Sequence, residues 1–519
     1  MNDPALEPQI YILDTGGQYT HLIARKVREL GVYAEVVSSE TEAARFAKAK
    51  GLIISGGPAS VYEQGSPHID QAVLTEGVPM LGICYGQQLM AFQLDGQVRQ
   101  GSKGEYGLAH LAIAGASPLF RDVANHQQVW MSHRDTVFAP PTGFSVLAQT
   151  DTCAIAAIGN ESTRQFGVQF HPEVVHTTEG RKILKNFVFA ICGCTEDWQP
   201  ASRIPVVEQQ IRDIAGDRNI FFFVSGGVDS TVAYTLCLRA LGEARVHGAY
   251  VDTGMMREGE TEFVRGIFDS LGARHFRIEL AQEDFLEALE GVVEPERKRK
   301  IIGEKFVEIQ EAVLESGPYL DGHWILGQGT IYPDTIESGG TAKADLIKTH
   351  HNRVKEILEM IEQGRVVEPL RELFKDEVRE VGRLLGIPKA ALQRHPFPGP
   401  GLAVRVLGPV SEERLRILRA ADTILLEELR RTGHYGKIWQ AFVVLLPVRS
   451  VGVMGDARSY ENVAAVRCVT STDGMTADWY PMPPEVLAVI SNRIINEVRG
   501  INRVTYDISS KPPATIEWE

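Results

Sequence analysis

The chain has 519 residues, of which 44% are apolar and 23% charged, and its formal net charge is −14, a size that predicts about two to four domains. The acidic balance argues against a nucleic-acid partner unless basic residues cluster locally, and no apolar run approaches the ~18 residues that a membrane span requires. Six irregularly spaced cysteines and the start Met-Asn-Asp-Pro match neither a disulfide-stapled secreted domain nor a signal peptide, so we expect a cytoplasmic enzyme.

Predicted strands and helices alternate in the first part of the chain. The strands are predicted at residues 9–14, 32–37, 51–55 and 80–83, and the helices at about 18–30 and 87–92. This alternation is typical of a parallel sheet covered by helices. We therefore predict an α/β domain with a parallel sheet over residues 1–197.

A candidate nucleophile follows the strand at residues 80–83. Gly82-Ile83-Cys84-Tyr85-Gly86 has the layout of a nucleophile elbow with cysteine in place of serine. The glycines permit a strained turn that exposes the side chain, and the helix N-terminus behind it favours the thiolate. The alternative is a small buried structural thiol.

A candidate base lies after a later predicted strand, in Phe166-Gly-Val-Gln-Phe-His171-Pro172-Glu173. Pro172 should keep the end of this strand extended, so that His171 and Glu173 project on related sides. The Glu173 carboxylate can then hold the imidazole in the tautomer that accepts a thiol proton. A surface His–Glu pair is the alternative. Gly57, in Gly-Gly-Pro, could supply a backbone N–H group to an oxyanion.

These motifs resemble those of the class I glutamine amidotransferases. The resemblance implies that Cys84 attacks the side-chain amide of glutamine and releases ammonia. We interpret His126, His133 and Cys153 as structural, since none lies in a comparable turn. The family's glutamine pocket often uses residues near Gln88 and at Ser132-His133, so a role of His133 in that pocket stays open.

An anion site is predicted after a linker at residues 193–205. Ile220–Val224 is a predicted buried strand, and it leads into Ser225-Gly-Gly-Val-Asp229-Ser230 and a helix to about Leu241. The glycines let backbone N–H groups approach a ligand at the helix N-terminus. The segment lacks the Gly-Lys-Ser/Thr of the P-loop, so it carries no lysine for a γ-phosphate. Its carboxylate and hydroxyl groups suit a pyrophosphate with Mg²⁺.

This segment resembles the pyrophosphate loop of the N-type ATP pyrophosphatases, which adenylate a substrate and release pyrophosphate. The alternative is a tight turn without a ligand. The resemblance implies that ATP contacts a run of seven residues and that Asp229 is a metal ligand; the run is Ser225, Gly226, Gly227, Val228, Asp229, Ser230 and Thr231.

The region 198–394 is predicted to be a doubly wound parallel-sheet domain, with strands at 246–251 and near 324–334 whose ends meet a nucleotide. For two polar stretches, the sequence is compatible both with a solvated surface and with a functional role. One is the basic run 297–300, which could contact phosphate. The other is a lid that contains Lys348, His350 and His351.

The region 395–519 is predicted to be a small α+β domain. It follows the proline-rich segment 395–401, which can be neither helix nor central strand. Helices are predicted at 412–431 and 484–498, and strands at 440–447 and 464–470. The apolar run 442–446 should meet another layer or another subunit.

Several strings together resemble the glutamine-hydrolysing GMP synthase family over essentially the whole chain: 329–334, 348–352, 395–401, 455–460 and 511–517. The resemblance implies ATP- and Mg²⁺-dependent amination of xanthosine monophosphate (XMP) to GMP through adenylyl-XMP, with AMP, pyrophosphate and glutamate released. It also implies a homodimer formed through the C-terminal domain. Substrate contacts would fall on Arg257, Gln440, Asp456, Lys511 and Glu517.

Three other functions are compatible with parts of the sequence. An amidoligase of the same superfamily with a different substrate would share both motifs. A tRNA-modifying pyrophosphatase would share the loop at Ser225 but should be more basic, and would not need Cys84. An inactive scaffold would tolerate loss of Cys84, His171 or Asp229, which are all present. One departure from the family is the helical pattern after Asn352, where a Val-Gly-Gly-Leu-Pro type of continuation is usual.

Overall fold

The computed structural model describes residues 6–334, 363–454, 457–471, 474 and 476–519. The chain divides into two compact units, Met1–Gln199 and Pro200–Glu519. Among the helices within these described ranges, none is long and apolar enough to cross a lipid bilayer.

The first unit is built on one nine-stranded sheet with the strand order β2-β1-β3-β4-β9-β8-β7-β5-β6. The first five strands in this order are parallel and the others antiparallel. The strands are β1 Ile10–Asp14, β2 Ala34–Ser38, β3 Gly51–Ile54, β4 Met80–Ile83, β5 Gln97–Ile113, β6 His126–Ala139, β7 Ser145–Gln149, β8 Ala157–Asn160 and β9 Gln165–Val168.

The predicted α/β fold with parallel strands is confirmed, and the antiparallel half adds to it. β6 shows an alternating burial pattern in which Val129, Met131 and Val137 point into the core. This period of two in burial is typical of a strand with one covered face.

Helices cover the sheet of the first unit and place its candidate residues. They are α1 Thr20–Arg28, α2 Gln71–Thr75, α3 Tyr85–Gln93 and α4 Gly180–Lys185, the last continued by a π-helix at Asn186–Ile191. β4 and β9 are parallel neighbours, with Ile83 opposite Val168. Because the carboxyl ends of parallel strands meet at one edge of a sheet, the segments of Cys84 and His171 come together.

The second unit contains a five-stranded parallel sheet with the order β12-β11-β10-β13-β14. Its strands are β10 Asn219–Phe223, β11 Val246–Asp252, β12 Phe276–Leu280, β13 Trp324–Gly327 and β14 Val366–Val367. From β10 the chain moves outward on one side and then returns to the other side. The predicted doubly wound sheet is confirmed, and the carboxyl end of β10 lies at its topological switch point, where such sheets bind ligands.

Within the described ranges, the α-helices of the second unit are α5 Pro200–Ala215, α6 Val228–Leu241, α7 Glu260–Ser270, α8 Gln282–Ala288, α9 Pro295–Glu315, α10 Lys375–Leu384, α11 Lys389–Leu392, α12 Glu412–Arg431 and α13 Pro484–Glu497. The linker predicted over 193–205 is wrong in its second half, because α5 already begins at Pro200. Proline is tolerated in the first turn of a helix, where its missing N–H group would have no intrahelical partner.

The C-terminal part of the second unit carries a four-stranded sheet. β15 Gln440–Met454 pairs antiparallel with β16 Ala457–Thr470, which also pairs with β17 Asp478–Trp479 and, in parallel, with β18 Ile501–Asp507. The apolar run 442–446 meets other layers of its own chain. Val443 and Leu445 join the core under α12 and α13, whereas Phe442 and Val444 join a cluster with Ile516.

The basic run 297–300 is only partly solvated, since Arg297 and Lys300 are exposed and Lys298 is not. Lys298 is fully buried, and its Nζ donates to the Val406 carbonyl oxygen at 2.7 Å and to Oε2 of Glu519 at 2.6 Å. Arg299 donates to the main-chain oxygen of Glu519. Two cations of the run therefore bind the C-terminal residue, a contact that sequence reasoning did not anticipate.

Candidate active sites

Cys84 lies in a strained turn between β4 and α3. Its backbone angles are φ 52° and ψ −107°, a conformation that a non-glycine residue rarely adopts, and its N–H group donates to the Val168 carbonyl oxygen at 2.7 Å. Strain of this kind persists only where the surrounding structure enforces it. The nucleophile-elbow pattern in the sequence thus corresponds to an elbow in the fold.

Close backbone contacts require both glycines of the elbow. A Cβ atom on Gly82 would lie 2.5 Å from the backbone of Gly86, and one on Gly86 would lie 2.3 Å from the Ile54 carbonyl oxygen. A larger residue at either position would force the turn open. The two glycines therefore fix where Cys84 sits relative to β3 and α3.

His171 and Glu173 form a buried pair on the neighbouring segment. Nδ1 of His171 lies 2.7 Å from Oε1 of Glu173. The strand predicted to reach these residues ends earlier, at Val168, and the pair lies in the turn that follows. Hydrogen bonds from the His171 N–H group to Trp130, at 3.0 Å, and from the Thr177 hydroxyl to the His171 carbonyl oxygen, at 2.6 Å, hold this turn instead.

The surroundings of His171 favour its protonated form. Burial alone lowers the pKa of the imidazole, but the Glu173 carboxylate and the hydrogen bond with Cys84 outweigh it and raise the pKa to about 10. At neutral pH one ring N–H group then donates to Glu173 and the other donates to Cys84. The imidazolium can then give a proton to a group that leaves the Cys84 adduct.

Polar groups of other strands surround the Cys84 sulfur. Sγ lies 3.5 Å from the Ser132 carbonyl oxygen and 3.5 Å from Nε2 of Gln169. Nε2 of Gln88 donates to the Asp135 carbonyl oxygen at 2.7 Å, and to Oε1 of Gln169 at 3.1 Å. The Gln88 and Ser132 segments named in the sequence analysis are therefore both next to the candidate nucleophile.

The glycine loop after β3 also lies against this site. A Cβ atom on Gly56 would lie 3.2 Å from Cε1 of His171 and 3.6 Å from Cβ of Cys84. Gly57 packs on Thr15, whose carbonyl oxygen would lie 2.6 Å from a Cβ at position 57. Only backbone without side chains fits here, although the oxyanion role of Gly57 stays a prediction.

The second candidate site begins where β10 turns into α6. Gly226 has a φ of +72°, and a Cβ atom there would lie 2.6 Å from Cγ2 of Val264. Both observations require glycine. A Cβ atom on Gly329, in the loop after β13, would lie 2.9 Å from the Ser230 nitrogen. The predicted loop thus lies under the 324–334 segment at the switch point of the sheet.

Hydroxyl groups brace the predicted pyrophosphate loop from within. The Ser225 hydroxyl accepts from the Gly227 N–H group at 3.2 Å and lies 3.2 Å from the Ser230 hydroxyl. The Thr231 hydroxyl donates to the Gly227 carbonyl oxygen at 2.8 Å and is buried. Ser225 and Gly227 are exposed, so the rim of the loop is open to a ligand.

Asp229 pairs with a lysine that sequence reasoning missed. Nζ of Lys375, at the start of α10, donates to Oδ2 of Asp229. Oδ1 of Asp229 is buried and has no hydrogen-bond partner within the described part of the chain. The loop itself carries no lysine, and one that lies 146 residues later supplies the cation.

A cavity of about 480 Å³ lies beside the loop, between α7 and α12. Arg394 connects the two, because it donates to the Gly226 carbonyl oxygen at 3.3 Å and also pairs with Glu260. The charged residues of the lining are three arginines and three carboxylates: Arg257, Glu258, Glu260, Arg394, Asp422 and Arg430. Arg257 pairs with Asp422 and Arg394 pairs with Glu260, so most of this charge is already balanced.

Three of the predicted substrate-binding residues come together. Nε of Arg257 donates to Oδ2 of Asp422 at 2.8 Å, and its Nη2 donates to the Ala441 carbonyl oxygen at 3.1 Å. The preceding residue, Gln440, donates through Nε2 to Oε1 of Glu517 at 2.7 Å. Arg257, Gln440 and Glu517 thus line one small region of the second unit.

Lys511 lies on the tail and is partly buried. Its backbone pairs with Ala477, and its Nζ donates to the Gly474 carbonyl oxygen at 2.9 Å. A Cβ atom on Gly474 would lie 3.3 Å from the Trp439 ring, which places this turn next to Gln440. The predicted residues Asp456, Lys348, His350 and His351 lie outside the described residues.

Two fully buried arginines hold the tail and were missed. Arg405 makes two hydrogen bonds to the Glu517 carboxylate, at 2.8 and 3.1 Å. Arg467 donates to the carbonyl oxygens of Ile516, Ser509 and Thr515 at 2.6–3.2 Å. Each stands alone in an apolar stretch of sequence. Since arginine is almost never fully buried unless it is paired, that pattern was the available signal.

Three family models match the chain. The model described as glutamine amidotransferase class-I matches residues 11–191, and that described as NAD synthase matches residues 203–307. The model described as GMP synthase C terminal domain matches residues 427–518. The first two matches contain the Cys84 and Ser225 motifs respectively.

Full-length relatives are also similar to the chain. A glutamine-hydrolyzing GMP synthase of Symbiobacterium thermophilum is 51% identical over 517 residues, which covers 98% of this chain and 99% of the relative. That of Vibrio atlanticus is 51% identical, with 99% of each chain covered. That of Aquifex aeolicus is 48% identical, with 98% and 99% covered.

Proposed function

The chain belongs to the family of glutamine-hydrolysing GMP synthases, and we propose that it aminates XMP to GMP with glutamine as nitrogen donor and ATP as activator. The observation that carries the proposal is the presence of two candidate sites in one chain. One is a cysteine elbow with a buried His–Glu pair, and the other is a pyrophosphate loop at a topological switch point.

In the glutaminase half, we assign the catalytic roles to Cys84, His171 and Glu173. The Cys84 thiolate attacks the side-chain carbonyl carbon of glutamine, and backbone N–H groups at Gly57 would stabilise the resulting oxyanion. The His171 imidazolium gives its proton to the leaving nitrogen, so ammonia departs and a thioester remains. Water then hydrolyses the thioester to glutamate, and the thiolate is regenerated.

Glu173 has a supporting role in these reaction steps. Its carboxylate keeps Nδ1 of His171 protonated and stabilises the positive charge that the proton transfer needs. Because the pair is buried, water competes weakly for these hydrogen bonds.

In the synthetase half, we assign ATP binding to Ser225–Thr231. Backbone N–H groups at the start of α6 and the exposed Ser225 hydroxyl would hold phosphate oxygens. Lys375 would add a positive charge that the loop itself lacks. The C2 oxygen of XMP attacks the α-phosphate, pyrophosphate leaves, and ammonia then displaces AMP from adenylyl-XMP.

Asp229 fits the Mg²⁺ ion that such a reaction uses. Its Oδ1 is a buried carboxylate oxygen without a hydrogen-bond partner among the described residues, and carboxylate oxygen is a ligand that Mg²⁺ prefers. When bound, the ion would neutralise charge on the phosphates. Lys375 already balances the other oxygen of Asp229, so one oxygen remains for the metal.

For XMP we propose contacts with Arg257, Gln440, Glu517 and Lys511, together with Asp456. Arg257 lines the cavity beside the loop, and Gln440 and Glu517 are hydrogen-bonded to each other. The tail that carries Glu517 and Lys511 is held by buried arginines, so these contacts would need little ordering on binding. Lys348, His350 and His351 would belong to a lid over the phosphates.

We also propose three functional regions, at 1–197, 198–394 and 395–519, and a homodimer formed through the last of them. The hairpin of β15 and β16 exposes apolar side chains at Val448, Val451, Val453 and Tyr460, which a second copy could cover. All six cysteines are free thiols, in keeping with a cytoplasmic enzyme. Sedimentation of the Val453→Lys variant against the parent chain would test the dimer.

A product assay tests the proposed reaction. The purified chain is incubated with ATP, Mg²⁺, glutamine and XMP, and the expected products are GMP, AMP, pyrophosphate and glutamate in equal amounts. ADP and orthophosphate as stoichiometric products would contradict the assignment of the pyrophosphate loop. Inosine monophosphate, which lacks the C2 oxygen, is the matched control and should yield no aminated nucleotide.

A further inference from the structure

The first unit contains a cluster of possible metal ligands that the proposed reaction does not use. Glu105, His133 and Cys153 each offer one ligand atom, and these atoms lie within 4.8 Å of one another. His133 and Cys153 are buried, and the Glu105 carboxylate is partly exposed. We infer that these three residues form a site for a thiophilic divalent cation of the Zn²⁺ type.

Strand pairing places the first two ligands. Glu105 on β5 lies directly opposite His133 on β6, next to an irregularity in the register between residues 100 and 105. Nε2 of His133 lies 3.2 Å from Oε2 of Glu105. Two ligand atoms bound to one zinc ion in tetrahedral geometry are separated by about 3.3 Å, since each lies ~2.0–2.2 Å from the metal. The pair is therefore already spaced for a shared ion.

The hydrogen bonds of His133 orient its Nε2 atom toward Glu105. Nδ1 lies 3.0 Å from the Asp135 carbonyl oxygen, so that nitrogen must carry a proton. A metal ion bound to Nε2 and to Oε2 of Glu105 would take the place of the proton between these two atoms. An Nδ1–H group bound to a backbone carbonyl is also how metal-binding histidines are commonly oriented.

Thr150 organises the third ligand and the carboxylate together. Its hydroxyl accepts from the Cys153 N–H group at 3.0 Å and donates to Oε1 of Glu105 at 3.0 Å. The turn that carries Cys153 is thereby fixed, and Oε2 of Glu105 is left for the metal. Thr136 lies 3.5 Å from the Cys153 sulfur and can donate to a thiolate there.

Charge balance selects a dication. The ligand set consists of a carboxylate, a neutral imidazole and, after its proton leaves to solvent, a thiolate. A dication bound to this set makes a neutral site, which removes most of the cost of burying charge. The thiolate and imidazole disfavour Mg²⁺ and favour Zn²⁺ or Co²⁺. The site would lie near the candidate nucleophile, because Ser132, next to His133, contacts Cys84.

Metal binding by the full-length chain tests this inference without reference to activity. The chain is treated with a chelator, desalted, and titrated with Zn²⁺ in competition with a chromophoric chelator. We expect Cys153→Ser to remove one tightly bound equivalent, with at least the ~10–100-fold loss of affinity seen when even an outer partner of a ligand is removed. Cys194→Ser, another buried cysteine of this unit, should bind as the parent chain does.

Two further variants make the result decisive. Cys84→Ala should retain the equivalent, because the alternative zinc site is the Cys84–His171 pair. Glu105→Gln, which is nearly isosteric, should weaken binding even if Cys153→Ser fails to fold. Co²⁺ in the parent chain should give a thiolate charge-transfer band that Cys153→Ser lacks. Unchanged zinc binding in both Cys153→Ser and Glu105→Gln, loss of the equivalent in Cys84→Ala, or its displacement by millimolar Mg²⁺ would overturn the inference.

Discussion

The two candidate active sites are held together in different ways. In the glutaminase half, Glu173 is two residues from His171, and Cys84 is placed by the pairing of β4 with β9. In the synthetase half, the key contacts join distant segments. The ion pairs Asp229–Lys375, Arg257–Asp422 and Arg405–Glu517 span 146, 165 and 112 residues.

This difference has a consequence for substitutions. Strand register and glycine contacts fix the glutaminase geometry, so removing a catalytic side chain there should alter the chemistry and leave the fold intact. In the synthetase half the charged groups that join the distant segments are also those proposed to contact the ligands. Substitutions there should change binding and assembly together, and they should affect both nitrogen sources.

The largest expected effect belongs to Cys84→Ala. Glutamine-dependent GMP formation should fall on the order of 10⁴–10⁶-fold, because the nucleophile is removed. Formation from added ammonium salts should stay within about twofold, since only the synthetase half is then required. Both rates are measured from GMP produced, with Cys194→Ser as the control that keeps both. Equal loss of the two activities in a folded protein would contradict the separation of the sites.

Lys375→Met should come next in size. It keeps the aliphatic stem and removes the charge that pairs with Asp229. We expect a loss of ~10²–10³-fold with glutamine and with ammonium alike, comparable to the loss of one electrostatic group from a catalytic site. Steady-state rates with both nitrogen sources provide the measurement. The exposed Lys389→Met, on the adjoining helix α11, is the control, and a loss confined to glutamine would refute the assignment.

Glu173→Gln should have a smaller effect that depends on pH. The carboxylate is a main cause of the raised pKa of His171, so its loss should lower that pKa by ~1–3 units. The imidazolium, and with it the glutaminase rate, is lost as pH rises through this pKa. The alkaline limb of glutaminase kcat/KM should therefore shift to lower pH, while thermal unfolding shows the variant folded. If the alkaline limb does not shift, Glu173 has no role in the proton transfer.

The glutaminase motifs were predictable because their constraints are local. Gly82 packs on Gly86 within the elbow itself, and the His-x-Glu spacing is visible in the chain, whereas the contact of Gly86 with Ile54 on β3 is not. The end of β9 was misjudged, since the His171 turn is held by a hydrogen bond from the His171 N–H group to the Trp130 carbonyl oxygen and by one from the Thr177 hydroxyl to the His171 carbonyl oxygen. Trp130 lies on β6, far from His171 in the sequence, so its contact leaves no mark near His171.

The synthetase contacts were less predictable for the same physical reason. Nothing near Lys375 in the sequence indicates that it will meet Asp229, and Lys298 in its basic run looked solvated or phosphate-binding although it is buried. Arg405 and Arg467 were detectable as single charges in apolar stretches, but their partners were not. A sequence shows that a buried charge needs a partner, whereas only the fold shows which one.

The smallest expected effect is that of Lys511→Ala. This variant tests whether the tail contacts the substrate as the rest of the synthetase site is proposed to do. Its Nζ donates to the Gly474 carbonyl oxygen, and Arg467 holds the tail segment independently. Because that support does not depend on Lys511, Lys511→Ala should leave the thermal unfolding temperature nearly unchanged. It should remove one charge-assisted contact with XMP and raise the KM for XMP about tenfold.

The matched control for the tail is Lys437→Ala, which removes a cation from the short helical turn before β15. Initial rates over a range of XMP concentrations, with glutamine and then with ammonium, should show the same rise in KM for Lys511→Ala and none for the control. Glutamine hydrolysis at Cys84 should not require Lys511, since the two residues belong to separate compact units. An unchanged KM and kcat would mean that Lys511 only ties its turn to Gly474. The ion pairs around Glu517 would then stabilise the tail without placing it at the substrate.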